Sequence, residues 1–293
     1  MDKGKKLAVQ ISCVKSLPVY GPADLSGHIL HVVNHLLLAS VMTVLLTPAS
    51  SWAGNEADGK ANRAGDQADR APHVVLDPGH GGSNDGARGS AVLEKTLTLS
   101  MAQLVAEELR QARVQVSLTR QADQTLTLRQ RSDLANRLGA DLFVSLHGNA
   151  SVARTQRGFE TYVLTPAAVE VIAPALRGDS PAPRAGISPD IASVLDDIER
   201  GATQWEAADL AVAVQRQLRG VRGASGDRGV RQDAQHVLLG ATMPAVLVEV
   251  GFVDHPVEGR ELALPETQRA LAHAIATAIL SQLQVAAPAT AAR

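Results

Sequence analysis

From His73 onward, short apolar runs alternate with segments whose apolar residues recur every three or four positions. These are the period-2 and period-3.6 signals of strands and helices. Val74-Val75-Leu76 reads as a buried strand that stops at Asp77-Pro78-Gly79. A helix is expected from about Lys95 to Ala112, with Leu97, Met101, Leu104 and Val105 on one face. Val114 to Leu118 is the next strand, followed by a helix near Leu126 to Leu138. Leu142 to Leu146 is strongly strand-like and stops at His147-Gly148-Asn149, and Phe159 to Leu164 alternates as an exposed or edge strand would. Residues 165 to 188, rich in Pro, Ala, Gly and Ser, are expected to form a loop, with helical segments following near Pro189–Arg200 and Gln204–Leu218. Gly220 to Arg228 is glycine-rich and expected to be mobile; Val237 and Leu238 lie in a strand or turn before Pro244. Ala245 to Val250 is the last buried strand, and Pro265 to Leu283 a closing amphipathic helix. Strands alternating with helices predict an α/β domain.

The first 72 residues follow other rules. Lys3, Lys5, Lys6 and Lys15 precede an apolar stretch whose densest part, Leu36 to Leu46, has the length of a signal-peptide core and is short for a membrane span. Ser51 and Ala53 are small residues at the two positions a signal peptidase reads, so residues 1–53 are expected to be a signal peptide cleaved after Ala53. An uncleaved anchor is the competing expectation. Residues 54–72 are small, polar and charged without periodicity, as in a disordered linker, and 285–293 read as a disordered tail.

Composition narrows the function. Hydrophobic residues make up 45% of the 293, enough for a full core, but aromatics are only 2%. Little surface is left for stacking on bases, and the formal charge of −2 argues against a nucleic-acid partner. Residues 1–53 hold four of the 28 basic and two of the 30 acidic residues, so their removal leaves −4. It also removes Cys13, the single cysteine, and a thiol-free chain suits an oxidising, exported location.

Three apolar strands each deliver a polar residue at their carboxyl end: VVLDPGH gives His80, LFVSLH gives His147 and AVLVE gives Glu249. Ligands bind outside the carboxyl ends of strands in open α/β sheets, so residues remote in sequence can meet there. Glu94, at the start of the first helix, is a fourth candidate. Two histidines and a carboxylate make the ligand set of a catalytic Zn2+ ion, with one coordination position left open. Such a site needs a further carboxylate to move a proton, and Glu249, ending a very apolar strand, is the candidate. Taken singly, a histidine closing a strand and a glutamate opening a helix have ordinary structural roles.

Five blocks in order change that balance: VVLDPGHGG, then GARG with EKTLTLSMAQLVAEEL, then VSLTR, then LTLRQRSDLANRLGADLFVSLHGNA, and GVRQ with VLLGATMPAVLVEVGFVDHP. Together they resemble the zinc-dependent N-acetylmuramoyl-L-alanine amidases over about residues 73 to 283. The resemblance implies a single domain, 73–284, with a phosphorylase/hydrolase-like fold: a mixed, mostly parallel sheet flanked by helices. It implies metal ligation by His80, Glu94 and His147 and acid/base catalysis by Glu249. The substrate it implies is peptidoglycan, cut between N-acetylmuramic acid and L-alanine of the stem peptide during cell separation or wall remodelling. The chain departs from the family at Asn84-Asp85, where Asp-Pro is common, and at Asp254-His255, where Ser-Asn is common.

Residues 188–203 resemble part of an insert, here 166–203, that in the cell-division branch covers the zinc site until an activator protein displaces it. Asp196, Asp197 and Glu199 are the carboxylates that could approach the ion. Asp77 is expected either to accept a hydrogen bond from a zinc-bound histidine or to shape the turn before Pro78. His73, His236, His255 and His273 are read as surface or helix-face residues, and Arg120 and Arg129 as salt-bridge formers, with a substrate-binding role for either left open. Two alternatives remain open: a non-catalytic peptidoglycan-binding division protein, and a zinc peptidase cutting within the stem peptide.

Overall fold

Six strands form one sheet in the order β2-β1-β3-β6-β4-β5. They are β1 (His73–Pro78), β2 (Gln115–Leu118), β3 (Leu142–Asn149), β4 (Phe159–Leu164), β5 (Asp227–Asp233) and β6 (Ala245–Phe252). Pairings β1–β2, β1–β3, β3–β6 and β4–β5 are parallel, and β4–β6 alone is antiparallel. The helices are α1 (Glu94–Gln111), α2 (Leu128–Arg137), α3 (Pro189–Arg222), α4 (Glu258–Leu262) and α5 (Pro265–Gln282). The structure, a computed structural model, describes residues 70–165 and 187–286, all within one compact unit. The expectations placed on residues 1–69, 166–186 and 287–293 lie outside the described residues.

Alternation along each strand sorts the core into two layers. Val74, Leu76, Val144, Leu146, Val246 and Val248 face a helical layer of α1, the second half of α3, and α5. Met101, Val105 and Leu109 of α1 and Leu271, Ile275 and Ile279 of α5 are fully buried at helical spacing. Burying each such Leu or Ile stabilises the fold by about 1.5–3 kcal/mol. Val75, Phe143 and Leu247 face the opposite side, covered by α2 through Ala135 and by the turn holding Val237, Leu238 and Met243.

The chain steps from β1 to β2 on one side, then returns over β1 to place β3 on the other. This reversal makes a crevice beyond the carboxyl ends of β1 and β3, the topological switch point of an α/β sheet. His80 follows β1 and His147 lies in β3.

Several elements differ from expectation. β4 is interior, because β5 pairs along its outer side, and Phe159, Glu160, Thr161 and Val163 are buried. Residues 220–228, expected to be mobile, hold the end of α3, a 3-10 turn at Ala224–Gly226 and the start of β5. The two expected segments at 189–218 are one 34-residue helix running through Gly201, where a Cβ would meet only open space. Order also reaches back into the expected linker: Pro72 O accepts from Gln115 N at 2.8 Å, and Arg70 pairs with Asp141.

Candidate metal centre

The loop leaving β1 is held by buried charge. Asp77, with no exposed surface, accepts from Thr119 Oγ1 at 2.5 Å, Ser145 Oγ at 2.7 Å and Arg131 Nη1 at 2.7 Å. Arg131 also donates to the carbonyls of Pro78 and His80, both at 2.7 Å. Arg120, fully buried, donates to the carbonyls of Pro78 (3.0 Å), Gly79 (2.8 Å) and Lys95 (2.8 Å). These contacts fix a strained segment: His80 has φ of 60°, a left-handed conformation uncommon for a residue with a side chain. Gly79 is required by close approach, since a Cβ there would lie 2.4 Å from the His147 ring. Gly86 has φ of +67°, and a Cβ on it would meet Glu94 Oε2 at 2.4 Å.

Three donors converge inside this frame. Glu94 Oε1 lies 3.0 Å from His80 Nε2 and 3.0 Å from His147 Nδ1. One ligand atom from each of the three side chains falls within 4.8 Å of the others, and the two rings stand nearly perpendicular, 5.0 Å apart. Glu94 is buried and anchored at the first turn of α1: Oε2 accepts from Ala87 N at 2.7 Å and Oε1 from Gly148 N at 3.0 Å. Burial opposes its charge, but the hydrogen bonds from His147 and His80 outweigh burial and hold the carboxyl well below the usual range. Burial likewise works against charge on His80, and the Glu94 hydrogen bond and charge overcome it, raising that imidazole. Two imidazole nitrogens and one carboxylate oxygen are the donor chemistry that suits zinc, so the residues fit a divalent ion.

Asn84 is the contributor that sequence reasoning passed over. Its Oδ1 lies 3.0 Å from His80 Nδ1 and also accepts from Gly86 N at 3.1 Å. An amide oxygen can only accept, so Asn84 takes the Nδ1 proton of His80 and leaves Nε2, the nitrogen that faces Glu94, as the one available to a metal, as outer partners of metal-binding histidines do. The neighbouring departure, Asp85, pairs with Lys95 at 2.8 Å and with Arg88.

Glu249 does not join the cluster but sits directly beside His147 in the parallel β3–β6 register, on the same face. Its Oε2 is buried and has no hydrogen-bond partner among the described residues. Burial, then the negative charges of Glu94 and Glu160, raise its pKa well above the ordinary glutamate value. An orphaned carboxyl oxygen at the end of a buried strand is costly unless it has work to do.

The other singled-out residues sort as follows. Asp77 binds hydroxyls and Arg131 and so shapes the turn; no histidine is among its partners. Arg120 forms no salt bridge among the described residues and clamps carbonyls instead, whereas Arg129 pairs with Asp133 at 3.4 Å. His73 is buried in β1, 3.0 Å from Ser117 Oγ, rather than on the surface. His236 and His273 are exposed, the latter paired with Glu108 at 2.8 Å. His255 accepts from Val257 N and Glu258 N at the start of α4. Asp196, Asp197 and Glu199 lie on the backbone of α3, but their side chains are outside the described residues.

Known proteins resemble this chain over most of the described fold. The family described as N-acetylmuramoyl-L-alanine amidase (Amidase_3) matches residues 74–281. The amidase AmiA of Escherichia coli (strain K12) is 31% identical over 217 residues, covering 71% of this chain and 75% of that protein. The catalytic domain of the amidase CwlV from Bacillus (Paenibacillus) polymyxa var. colistinus superposes with a TM-score of 0.57 at 31% identity, over 73% of this chain and 99% of that one. An amidase from Clostridium difficile 630 gives 0.58 at 30% identity, over 73% and 97%. The chain belongs to the N-acetylmuramoyl-L-alanine amidase family, which hydrolyses the amide joining N-acetylmuramic acid to L-alanine in peptidoglycan.

Proposed function

We propose that this amidase is zinc-dependent, with His80, Glu94 and His147 holding the ion and Glu249 as its catalytic acid/base. The observation that carries the assignment is the meeting of three donor side chains within 4.8 Å, with an unpartnered carboxyl oxygen one strand away. When bound, zinc supplies Lewis acidity, acidifying a water and polarising the scissile carbonyl. Glu249 takes the proton of the attacking water and delivers it to the nitrogen of the leaving L-alanine. Its raised pKa suits delivery, since a group of ordinary acidity would surrender its proton too readily. Arg120 and Arg131 hold the His80 loop in place during the reaction.

Calorimetric titration of chelator-treated protein with zinc tests the ligand set. The expected result is one site per chain in the wild type and loss of at least about a hundredfold in affinity in His147→Ala, which removes a direct ligand. Wild-type affinity in that variant would refute the assignment.

Residues 1–53 act as a secretory signal removed after Ala53, which places the enzyme outside the cytoplasm, where its substrate lies, in cell separation or wall remodelling. Among the described residues, no helix is long and apolar enough to cross a membrane.

The first half of α3 restrains activity until an activator protein displaces it. Ile191 and Ile198 are exposed there, whereas Ala207, Leu210, Val214 and Leu218 in the second half are buried against the domain. Deleting 166–203 leaves those anchors and is expected to raise hydrolysis of isolated peptidoglycan. Unchanged or lower activity in a folded deletion variant counts against restraint.

A further inference from the structure

A row of polar side chains continues across the sheet beyond the metal cluster. On the face that carries His147, the register sets Glu249 beside it on β6 and Glu160 beside Glu249 on β4. The outermost strand, β5, then contributes two arginines that both meet Glu160 Oε2, Arg228 through Nε at 3.0 Å and Arg231 through Nε at 3.4 Å. Glu160 is buried and also accepts from Asn149 Nδ2 at 2.6 Å and the Tyr162 hydroxyl at 3.1 Å. Its position is therefore determined from four sides.

Two guanidinium groups against one carboxylate leave a surplus positive charge at this end of the row. Arg228 is immobilised further, by Gln156 at 3.1 Å and by stacking 5.0 Å from the Phe252 ring. Arg231 differs. It is half-exposed and tethered only through Nε, and its two terminal nitrogens have no partner among the described residues. A guanidinium held at one nitrogen and free at the others presents a planar fork that matches a carboxylate, and it stays charged at any working pH.

We propose that Arg231, oriented by Glu160 and supported by Arg228, forms a carboxylate subsite that recognises the second residue of the stem peptide. That residue is a D-glutamate extended through its side-chain carboxyl, which leaves its α-carboxylate free unless it is amidated. The inference rests on the amidase function and adds a substrate preference to it. Strands lie about 4.8 Å apart, so β5 stands roughly 10 Å from the Glu249 strand. One alanine residue spans about 3.8 Å, which puts the α-carboxylate on the order of 6–7 Å from the scissile bond. An arginine side chain reaching inward from β5 closes the remainder.

The test compares two synthetic substrates, N-acetylmuramoyl-L-alanyl-γ-D-glutamyl-L-lysine and its counterpart with the D-glutamate α-carboxyl amidated, with the full chain loaded with zinc. The wild type is expected to cleave the free acid with about tenfold higher kcat/KM, the size of one partly exposed charge-assisted hydrogen bond. Arg231→Gln should bring the ratio toward one, and Arg231→Lys, which keeps the charge but loses the fork, should fall between. Thermal melts of both variants check that the fold is retained. A wild-type ratio near one, or a tenfold ratio that survives in folded Arg231→Gln, overturns the subsite. Failure to cleave either substrate, by the full chain and by the variant lacking 166–203 alike, overturns the amidase function and the subsite with it.

Discussion

Glu249→Gln is expected to lower kcat on peptidoglycan by about 10²–10⁴-fold, the usual worth of a positioned general acid/base, while zinc affinity measured by calorimetry stays within a few-fold of the wild type. Glutamine keeps the size and removes the titratable proton, and Glu249 lies next to the donor cluster without belonging to it. The same variant has a second signature, in stability. Burial and the charges of Glu94 and Glu160 raise the Glu249 pKa in the folded chain, so without metal the folded protein keeps a proton that the unfolded chain has released. Stability of the metal-free wild type therefore falls as pH rises above the unfolded value of about 4.3, until Glu249 ionises in the fold. Glutamine removes that slope. Melting curves of metal-free protein should show the variant level with the wild type below about pH 4 and more stable at neutral pH. A kcat within tenfold of wild type would remove Glu249 from the chemistry, and an unaltered pH slope would mean that its carboxyl is not the strained group.

Three of the four side chains proposed for the site are legible in the sequence by a physical rule that needs no tertiary knowledge. His80, His147 and Glu249 close apolar runs, and the carboxyl ends of strands are where an α/β sheet gathers its ligands. Glu94 is ambiguous on its own, since an acidic residue opening a helix is explained by the helix dipole, and only the family blocks mark it. What escaped notice depends on partners remote in sequence. Arg120 looks like any charged residue after a strand, yet its guanidinium serves the carbonyls of Pro78, Gly79 and Lys95. Asn84 differs from the family pattern in one amide, and its place against His80 follows from a left-handed turn that the sequence only hints at through its glycines.

The elements that differ from expectation have equally concrete causes. β5, DRGVRQD, has one aliphatic residue and four charged ones, because it is the outer strand and bends at Gly229, where φ is 83°. Without β5, β4 could only be taken for an edge. The gap expected between the two helical segments holds Gly201, and glycine costs about 1 kcal/mol relative to alanine in a helix interior. The helix continues because Ala207 to Leu218 packs into the core and fixes the axis. His73 reads as a surface residue because nothing nearby in sequence announces Ser117, its partner across β1 and β2.

Arg131→Met is expected to be the most destabilising single change near the site, at about 3–5 kcal/mol, because it leaves the Asp77 carboxylate buried without its counter-charge. Thr119 and Ser145 would still donate to Asp77, but two hydroxyls do not neutralise a charge. For a domain of about 200 residues this corresponds to a fall in Tm of roughly 6–20 °C. The loss should also reach the metal site, since Arg131 holds the carbonyl of His80 in its left-handed conformation; zinc affinity is expected to drop about tenfold or more. Charge and packing are separated by the double variant Asp77→Asn/Arg131→Met. Removing both charges should recover most of the stability, because a buried pair contributes little over a neutral replacement while a lone buried ion is very costly. The recovered protein should still bind zinc weakly, as nothing restores the bond to the His80 carbonyl. A loss below about 1 kcal/mol in Arg131→Met, or a double variant as unstable as the single, would mean that the Asp77–Arg131 pair does not set the stability of this loop.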